Sequence, residues 1–314
     1  MDPIASTAWA TVLAGGSGRR LSELTKGVPK QFWRFAADGT LLEATLARIA
    51  PVVAPSRTTI VVDRTHRRFL QDLPRLDPAC RVDLQPCDRG TAAGVLCGML
   101  PALQSTRDAI VVLTPSDHGV LDTNVFRTSL REAIVRVGCG RQRLVLFGAE
   151  PSGVADDYGW IMPDDSTPTH GVRKVARFVE KPSTDVAAGL LAAGAVWNTM
   201  VVVTGAAHLM NLYRRHLPDV ARVFDLSLCL PPRARETFLR GAYRDLPVTD
   251  FCRDLLMVAD DLWVHVWSNS LGWSDLGTPA RLREWLPRAT QAAAVPDTPG
   301  RHADIETRPH VESA

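Results

Sequence analysis

Two of the four lysines in this chain are the first residues whose type and position suggest chemistry. The sequence contains 32 arginines but only Lys26, Lys30, Lys174 and Lys181. A lysine presents a compact point charge that a planar guanidinium does not replace, so a lysine among so many arginines is a candidate for a tight contact. Lys30 lies in the segment VPKQF and Lys181 in RFVEKP. We interpret both as candidates for contacts with an anionic ligand.

A glycine-rich segment, LAGGSGRRL (13–21), directly follows the first β-branched stretch. Three closely spaced glycines let a backbone approach a phosphate and point successive N–H groups at it. Two common phosphate loops are excluded, because Leu21 stands where a GxGxxG motif needs glycine and no Gly-Lys-Ser/Thr follows. The segment predicts a phosphate loop of another kind, with an ordinary glycine-rich turn as the alternative.

Asp117 is the first candidate metal ligand. It follows the apolar run AIVVLTPS, and ligands of open α/β sheets bind at the carboxyl ends of such strands. Mg²⁺ prefers hard oxygen ligands and usually takes one or two protein carboxylates beside phosphates and waters. A helix N-cap is the alternative role for Asp117. His118 has no second histidine near it in sequence, so we interpret it as structural.

The elements that must position these residues alternate between strand and helix in the first half of the chain. Strands are predicted at 9–15, 58–63, 81–85, 109–114 and 143–150, and helices at 41–50, 64–72, 91–103 and 122–137. This alternation, with unbroken apolar strands, predicts a Rossmann-like α/β fold whose mostly parallel sheet is flanked by helices.

The second half has a mixed α+β pattern that we expect to continue the same sheet. Strands are predicted at 158–161, 172–182, 197–204 and 261–267, and helices at 183–193, 205–216, 219–228, 233–241, 249–258 and 277–286. One folded domain is therefore expected over residues 1–286. Residues 287–314 show neither periodicity and are expected to form a flexible tail.

Composition excludes several classes of protein. Apolar residues make up 46% of the chain and charged residues 22%, as in ordinary globular proteins. A net charge of +2 gives no reason to expect a nucleic-acid partner. The six cysteines form no metal-binding pattern, and no signal peptide or membrane span is evident, so a cytoplasmic protein without a membrane partner is expected.

The motifs together resemble the sugar-phosphate nucleotidyltransferases. In that family a loop of the form LAGGxGxRL precedes Pro-Lys-Gln by about ten residues. Five later segments are similar to the family's remaining motifs in the same order: QPCDRGTAAG (85–94), LTPSDH (113–118), DDYGWI (156–161) with RFVEKP, VWNTMVVV (196–203) and GWSDLGT (272–278). The forms PSDH and WSDLG look most like the mannose-1-phosphate guanylyltransferase branch.

The resemblance implies a GT-A-like nucleotidyltransferase fold with no C-terminal β-helix or cupin domain. About residues 8–150 would form a nucleotide-binding half and about 151–286 a sugar-phosphate-binding half. The substrates would be a nucleoside triphosphate, with GTP favoured, and a sugar 1-phosphate, such as mannose 1-phosphate or a related sugar or cyclitol phosphate. Mg²⁺ would be the cofactor, and a homodimer is compatible with the family.

The resemblance also implies roles for particular residues. The attacking phosphate oxygen is already ionised, so catalysis requires positioning and charge neutralisation, here by Arg20, Lys30, Asp117 and Lys181. The nucleotide would contact Leu13, Ala14, Gly15, Gly16, Gly18, Arg20, Lys30, Gln85, Arg89, Gly90, Thr91 and Ser116. The sugar phosphate would contact Asp117, Gly159, Glu180, Lys181 and Asn198, with Gly159 leaving room for it. Asp117 and Asp275 would bind the metal, although a helix cap is an alternative role for Asp275.

Two departures from the family pattern bear on specificity. Gly90 stands where the guanylyl branch commonly has asparagine, so base reading would rest on backbone groups and Gln85, and Gly90→Asn is expected to sharpen base preference if the pocket admits the amide. Thr199 and Met200 stand where Ser-Gly is usual, which adds bulk beside the sugar pocket.

Three alternatives stay open to different degrees. A glycosyltransferase is disfavoured because Ser116, Asp117 and His118 stand where Asp-x-Asp is expected. A regulatory homologue that binds nucleotide sugars without turnover should have lost Arg20, Lys30 or an aspartate, and all are present. A transferase that uses dTTP or UTP remains the third alternative.

Overall fold

Helices and strands alternate along the chain, and most strands enter one sheet. The computed structural model describes residues 7–36, 39–169 and 171–294. The strands are β1 (Trp9–Ala14), β2 (Arg34–Ala36), β3 (Gly39–Thr40), β4 (Thr58–Asp63), β5 (Arg81–Gln85), β6 (Ile110–Pro115), β7 (Leu144–Ala149), β8 (Gly159–Thr169), β9 (Val172–Glu180), β10 (Val196–Gly205) and β11 (Leu262–Trp267). The helices are α1 (Leu41–Ile49), α2 (Gly90–Ser105), α3 (Thr123–Gly138), α4 (Thr184–Ala192), α5 (Ala206–His216), α6 (Pro218–Leu228), α7 (Pro232–Ala242) and α8 (Pro279–Ala294).

Nine of the described strands form a mixed sheet in the order β5-β4-β1-β6-β10-β7-β11-β9-β8. The first four of these are mutually parallel, β7 and β11 are parallel to each other, and β10 runs antiparallel between β6 and β7. The carboxyl ends of β1, β4, β5, β6, β7 and β11 therefore meet at one edge of the sheet, where ligands of open α/β sheets bind. The α/β class and the continuation of one sheet into the second half are confirmed.

Both faces of this sheet are buried. In β6, Val111 and Leu113 pack against α2, α5 and α6, whereas Ile110 and Val112 pack against α1 and α3. Because both faces are covered, the strands lose the alternation of polar and apolar residues and become continuous apolar runs. All other described strands pair as the β2–β3 hairpin, so no β-helix or cupin barrel accompanies the sheet within those residues.

Four predicted elements differ from the structure. The segment at 64–72 is a 3₁₀ helix, and in the region predicted as a helix at 249–258 the regular helix is limited to a π-helical turn at Cys252–Leu256. Strand β8 continues far beyond residue 161, because it pairs with β9 as a long hairpin. The folded region does not end near residue 286, since α8 continues through Pro287 to Ala294. The rest of the predicted tail, 295–314, lies outside the described residues.

Candidate active site

The glycine-rich loop leaves β1 at the ligand-binding edge and is held from behind by Gln31. The Nε2 of Gln31 donates hydrogen bonds to the carbonyls of Ala14 at 2.8 Å and Gly16 at 2.9 Å. Gly18 adopts a φ of +61°, and a Cβ there would lie 2.9 Å from the backbone N of Lys30. Glycine at this position therefore permits both the left-handed turn and the close approach of the lysine segment.

Lys30 brings together three segments that are far apart in sequence. Its side chain is buried, and its Nζ lies 3.0 Å from Oδ2 of Asp117 and donates a hydrogen bond to the backbone carbonyl of Asp275. Asp117 follows β6 and Asp275 precedes α8, so the fold brings both predicted metal-binding residues to Lys30, Asp117 through its carboxylate and Asp275 through its backbone carbonyl. A buried cation requires such partners, because an unpaired charge away from water is costly.

Asp117 is ionised in this environment. Burial is the largest single influence and acts to raise the pKa of Asp117, but the Lys30 ammonium, His118 and hydrogen bonds to the carboxylate together outweigh it, so the pKa lies below its ordinary value. The adjacent His118 does not compete as a cation, since burial lowers its pKa to about 4. The ring of His118 packs edge-on against Trp273, which agrees with a structural role.

The carboxylate of Asp275 is held by three other groups. Its Oδ1 accepts hydrogen bonds from the Tyr158 hydroxyl at 2.7 Å and from the backbone N–H of Gly277 at 2.9 Å. Arg281 lies 3.3 Å from both carboxylate oxygens. The Gly277 contact has the form of a local turn, whereas the contacts to Tyr158 and Arg281 fix Asp275 relative to the sugar-side half.

Arg20 and Arg281 converge on a second carboxylate, Asp157. Arg20 donates to Asp157 at 2.6 Å, and Arg281 forms a bidentate pair with it at 2.7 and 2.9 Å. Hydrogen bonding and charge from Arg281 lead the causes that lower the pKa of Asp157. The guanidinium of Arg281 also lies 4.2 Å above the Tyr158 ring. Arg20 is otherwise well exposed, so its side chain is free to turn towards a ligand.

Asp117 and Asp275 fit a hard divalent cation by their chemistry. They supply two carboxylates beside a phosphate loop, which is the number that Mg²⁺ usually takes from a protein. The Asp117 carboxylate already contacts the Lys30 ammonium, and the Asp275 carboxylate already contacts the Arg281 guanidinium. Both carboxylates therefore face positively charged groups. A separate set of potential ligand atoms, from Glu180, Asp250 and Cys252, lies within 4.8 Å of one another on the sugar side.

Gln85 ends β5 and lies between two glycines. A Cβ on Gly15 would approach its Oε1 to 2.8 Å, and one on Gly94 would approach its Nε2 to 2.9 Å. The same Nε2 donates a hydrogen bond to the Tyr243 hydroxyl. The glycine-rich loop and the start of α2 are therefore joined through one buried amide, and a nucleotide contact by Gln85 stays a prediction.

The segment Arg89–Thr91 is covered by the chain that follows α7. The Thr249 carbonyl accepts from the N–H of Ala92 at 3.1 Å, and the Thr91 hydroxyl accepts from the N–H of Phe251 at 2.8 Å. Gly90 has a φ of +80°, and a Cβ there would lie 2.1 Å from the Thr249 carbonyl oxygen. The condition attached to Gly90→Asn, that the pocket admits the amide, is therefore not met in this structure, because the backbone of Thr249 fills the space a side chain would need.

The sugar side is built around Glu180. From the sequence, we expect Gly159 to leave room for the sugar phosphate. The space beside Gly159 instead holds the carboxylate of Glu180, whose Oε2 would be 2.5 Å from a Cβ at position 159. This Oε2 is buried and has no hydrogen-bond partner among the described residues, while Oε1 lies 3.4 Å from Nζ of Lys181. Burial raises the pKa of Glu180, against the opposing charge of Lys181. Lys181 itself is exposed at the rim with a φ of +46°.

Asn198 is the third residue of β10, and both ends of its side-chain amide are hydrogen-bonded within the protein. Its Nδ2 donates to Sγ of Cys252 at 3.3 Å, and its Oδ1 accepts from the N–H of Met200 at 3.1 Å. Met200 has a φ of +59° where the pairing of β10 with β7 shifts register. These contacts already use the amide within the protein, so a sugar contact by Asn198 stays a prediction.

Comparison with known proteins decides the family. The model of the nucleotidyl transferase family matches residues 9–292, nearly the whole described chain. This chain belongs to the nucleotidyl transferase family. The finding also agrees with the mixed sheet and with the position of the glycine-rich loop at its ligand-binding edge.

Individual relatives of this nucleotidyl transferase carry similar names. The mannose-1-phosphate guanylyltransferase ManC of Salmonella typhimurium is 29% identical over 95% of this chain and 62% of its own length. The xanthan biosynthesis protein XanB of Xanthomonas campestris is 33% identical over 67% of this chain and 44% of its own length. The chain thus spans about half of these longer relatives. A solved structure from Thermus thermophilus, described as a mannose-1-phosphate geranyltransferase, superposes with a TM-score of 0.77 at 30% identity, covering 86% of this chain and 76% of that one.

Several residues that organise the site in this nucleotidyl transferase were not predicted from the sequence. Gln31, Asp157 and Tyr158 lie inside the quoted motifs, so their neighbours gave a signal for them. Arg281 and the 249–252 segment lie in no motif and become evident only through the fold. Among the described helices, none is long and apolar enough to span a membrane.

Proposed function

We propose that this protein transfers a nucleotidyl group from a nucleoside triphosphate, GTP by preference, to a sugar 1-phosphate with release of pyrophosphate. The observation that carries this proposal is the position of Lys30, whose ammonium lies between the Asp117 carboxylate and the Asp275 carbonyl and whose backbone packs against Gly18 of the glycine-rich loop. This arrangement brings the glycine-rich loop, a buried cation and two aspartates together, Asp117 through its carboxylate and Asp275 through its backbone carbonyl. Phosphate transfer requires that combination.

On the donor side, the backbone N–H groups of the loop would face the phosphates, and Lys30 would neutralise charge on the triphosphate and on the leaving pyrophosphate. Gln31 supports this by holding the Ala14 and Gly16 carbonyls away from the anion. Arg20 would turn from Asp157 to the phosphates, which its exposure permits. The base would be read by Gln85 and by backbone groups near Arg89, Gly90 and Thr91.

On the acceptor side, Lys181 would bind the sugar phosphate and Glu180 a sugar hydroxyl. A buried carboxylate oxygen without a partner costs about 1–3 kcal/mol, more if charged, and the Oε2 of Glu180 is such an oxygen. A hydroxyl donor from the sugar would satisfy it. Phe178 and Asn198 flank the same space.

The reaction would proceed by in-line displacement. One sugar-phosphate oxygen forms a bond to the α-phosphorus while the bond from that phosphorus to the bridging oxygen of the β-phosphate breaks, and pyrophosphate leaves. The nucleophile is already ionised, so no side chain has to accept its proton. The protein therefore has to position the triphosphate and the sugar phosphate and to neutralise their charge. Arg20, Lys30 and Lys181 would do this.

Asp117 and Asp275 would hold Mg²⁺. When bound, the cation would neutralise charge on the phosphate oxygens. The protein prepares for this by keeping Asp117 ionised beside Lys30 and by fixing Asp275 through Tyr158 and Gly277. Arg281 would have to share or release Asp275, and its pairing with Asp157 gives it another carboxylate partner.

The names of the relatives support mannose 1-phosphate and GTP as the first substrates to test. Met200 and Cys252 lie in contact next to the sugar pocket and favour a related sugar or cyclitol phosphate as the second choice. We also propose, from the sequence, a cytoplasmic location and a homodimer.

The test is pyrophosphate release by the purified chain with four triphosphates, each combined with a panel of sugar 1-phosphates, with and without Mg²⁺. The proposal predicts Mg²⁺-dependent release that requires both substrates and is fastest with GTP. Preference for UTP or dTTP would overturn the guanylyl assignment alone. Tight nucleotide-sugar binding without release from any pair would establish the regulatory alternative.

A further inference from the structure

A cavity of about 680 Å³ lies beside the edge strand β5, and none of the predicted site residues lines it. Its walls come from the 3₁₀ helix Arg64–Asp72, from β5, from the middle of α2 and from α7. Its volume falls within the range of small-molecule sites. The nucleotidyl-transfer site described above does not use this cavity.

The cavity is strongly basic. Six arginines line it against two carboxylates. Asp83 is paired with Arg81 at 2.7 Å and Glu236 with Arg240 at 2.7 Å, so both carboxylates are already neutralised. Arg235 donates to the carbonyls of Ser227 and Leu230, which fixes its guanidinium but leaves its charge without a counter-ion among the described residues.

Three further arginines in the cavity wall have no described side-chain partner. Arg64, Arg67 and Arg233 are exposed, and none makes an ion pair or a side-chain hydrogen bond with another residue that the structure describes. They come from two walls, since Arg64 and Arg67 lie on the 3₁₀ helix and Arg233 on α7. Like charges held around one concavity raise the local concentration of anions, and guanidinium groups bind phosphate oxygens in pairs.

The remaining wall is apolar and aromatic. Leu84, Leu100, Leu239 and Tyr243 contribute to it. The cavity is far larger than a free phosphate ion needs, and this wall suits a flat, weakly polar group attached to the phosphate. A nucleoside carries such a group, which distinguishes it from a simple sugar phosphate.

We propose that this cavity, lined by Arg64, Arg67 and Arg233, is a second binding site for a phosphorylated small molecule of the nucleoside-phosphate class. The Tyr243 side chain in its wall is hydrogen-bonded to Gln85, which packs against Gly15 of the glycine-rich loop. The second site therefore adjoins the first through two side chains. Binding there does not depend on the proposed transfer reaction, because an inactive chain would have the same cavity.

The experiment compares three forms of the full chain: wild type, Arg64→Ser/Arg233→Ser, and the control Arg107→Ser/Arg141→Ser, which removes two exposed arginines outside the cavity. ATP, GTP, CTP and UTP are the probes, each titrated without Mg²⁺ by calorimetry. Hydrogen–deuterium exchange then locates the bound nucleotide, and thermal melting checks that all three forms are folded.

We expect at least one nucleotide to protect both Arg64–Asp72 and α7 in wild type and in the control. The cavity variant should bind it at this site more weakly, by about 10-fold or more for each arginine removed. Protection of the glycine-rich loop, which reports the proposed transfer site, should be unchanged. Equal binding and protection in wild type and the cavity variant, or protection of neither segment by any probe, would overturn the proposal. If no nucleotide protects the glycine-rich loop of the wild type while the two cavity segments are protected, the result would count against the proposed function and leave the second site intact.

Discussion

The phosphate end of the candidate site, around Lys30, and its sugar end, around Glu180, differ in how their charged groups are paired. At the phosphate end, Lys30, Asp117 and Asp275 are each paired within the protein before any substrate is present. At the sugar end, Glu180 keeps a buried oxygen without a described partner. The comparison teaches that the phosphate end is organised by the protein's own ion pairs, whereas the sugar end leaves an acceptor for its ligand to satisfy.

The largest expected effect comes from the two carboxylates at the phosphate end. Asp117→Asn and Asp275→Asn should each lower kcat by about 100- to 1,000-fold, because each removes, at nearly constant shape, one of the two carboxylates proposed to hold Mg²⁺ beside the phosphates. Both asparagine and alanine remove the counter-charge of Lys30, but alanine is a poorer choice at position 117 because it also removes the oxygen that accepts from the buried ammonium. Pyrophosphate release at limiting and saturating Mg²⁺ is the measurement.

The matched control for these variants is Asp260→Asn, which changes an exposed carboxylate that is paired on the surface with Arg215. It should turn over like wild type. If either Asp117→Asn or Asp275→Asn also does so at limiting Mg²⁺, that residue is not a metal ligand.

Lys30→Arg should lower kcat/KM by about 30- to 1,000-fold. The guanidinium is larger and planar, whereas the buried ammonium of Lys30 contacts both the Asp117 carboxylate and the Asp275 carbonyl. Lys174→Arg, an exposed lysine on β9, is the control and should have no effect. More than half of wild-type kcat/KM in the Lys30→Arg variant would place the lysine outside the phosphate site.

Much of the phosphate end could be predicted from the sequence. Lys30, Asp117 and Asp275 lie in short motifs, and the strand pattern puts β1 and β6 at one edge. The partners that hold them could not be predicted, because Arg281 reaches Asp157 and Asp275 only after α8 packs against the sugar-side half. Whether position 90 admits a side chain could not be predicted for a similar reason, since the obstacle is the backbone of Thr249, 159 residues later in the chain.

Gly90→Asn tests whether the covering of α2 is rigid. The variant should be destabilised by about 1–3 kcal/mol, because its Cβ overlaps the Thr249 carbonyl. Gly140→Asn is the control: Gly140 also has a positive φ, +69°, but open space around it, so it should cost less than about 1 kcal/mol. Chemical denaturation measures both. Equal costs would mean that Thr249 moves aside, and base preference should then be measured in the Gly90→Asn variant.

The smallest effect concerns the pH dependence of stability, which should have opposite signs at the two ends. The lowered pKa of Asp117 gives stability that is present above its ordinary value of 3.8 and is lost as pH falls through the folded value. The raised pKa of Glu180 gives stability that is present below its ordinary value of 4.5 and is lost as pH rises through the folded value.

Denaturation of metal-free protein across this acid range should therefore separate the two residues. At pH 7, Glu180→Gln should be as stable as wild type or more so, and Asp117→Asn less stable. In activity assays Glu180→Gln should raise KM for the sugar phosphate more than it lowers kcat. A marked loss of stability at pH 7 in Glu180→Gln would show that the carboxylate is satisfied within the protein and is not left open for a sugar hydroxyl.

The central claim is that the site around Lys30 transfers a nucleotidyl group, which contains the α-phosphorus of the triphosphate, to a sugar 1-phosphate. The most direct measurement follows label from GTP carrying ³²P at either the α or the γ position, incubated with mannose 1-phosphate, Mg²⁺ and the purified chain. We expect α-label in a nucleotide-sugar product, γ-label in pyrophosphate, and neither transfer in the Lys30→Arg variant beyond its residual rate. Transfer of the γ-label to the sugar phosphate, or α-label transfer that is unchanged in Lys30→Arg, would contradict the account.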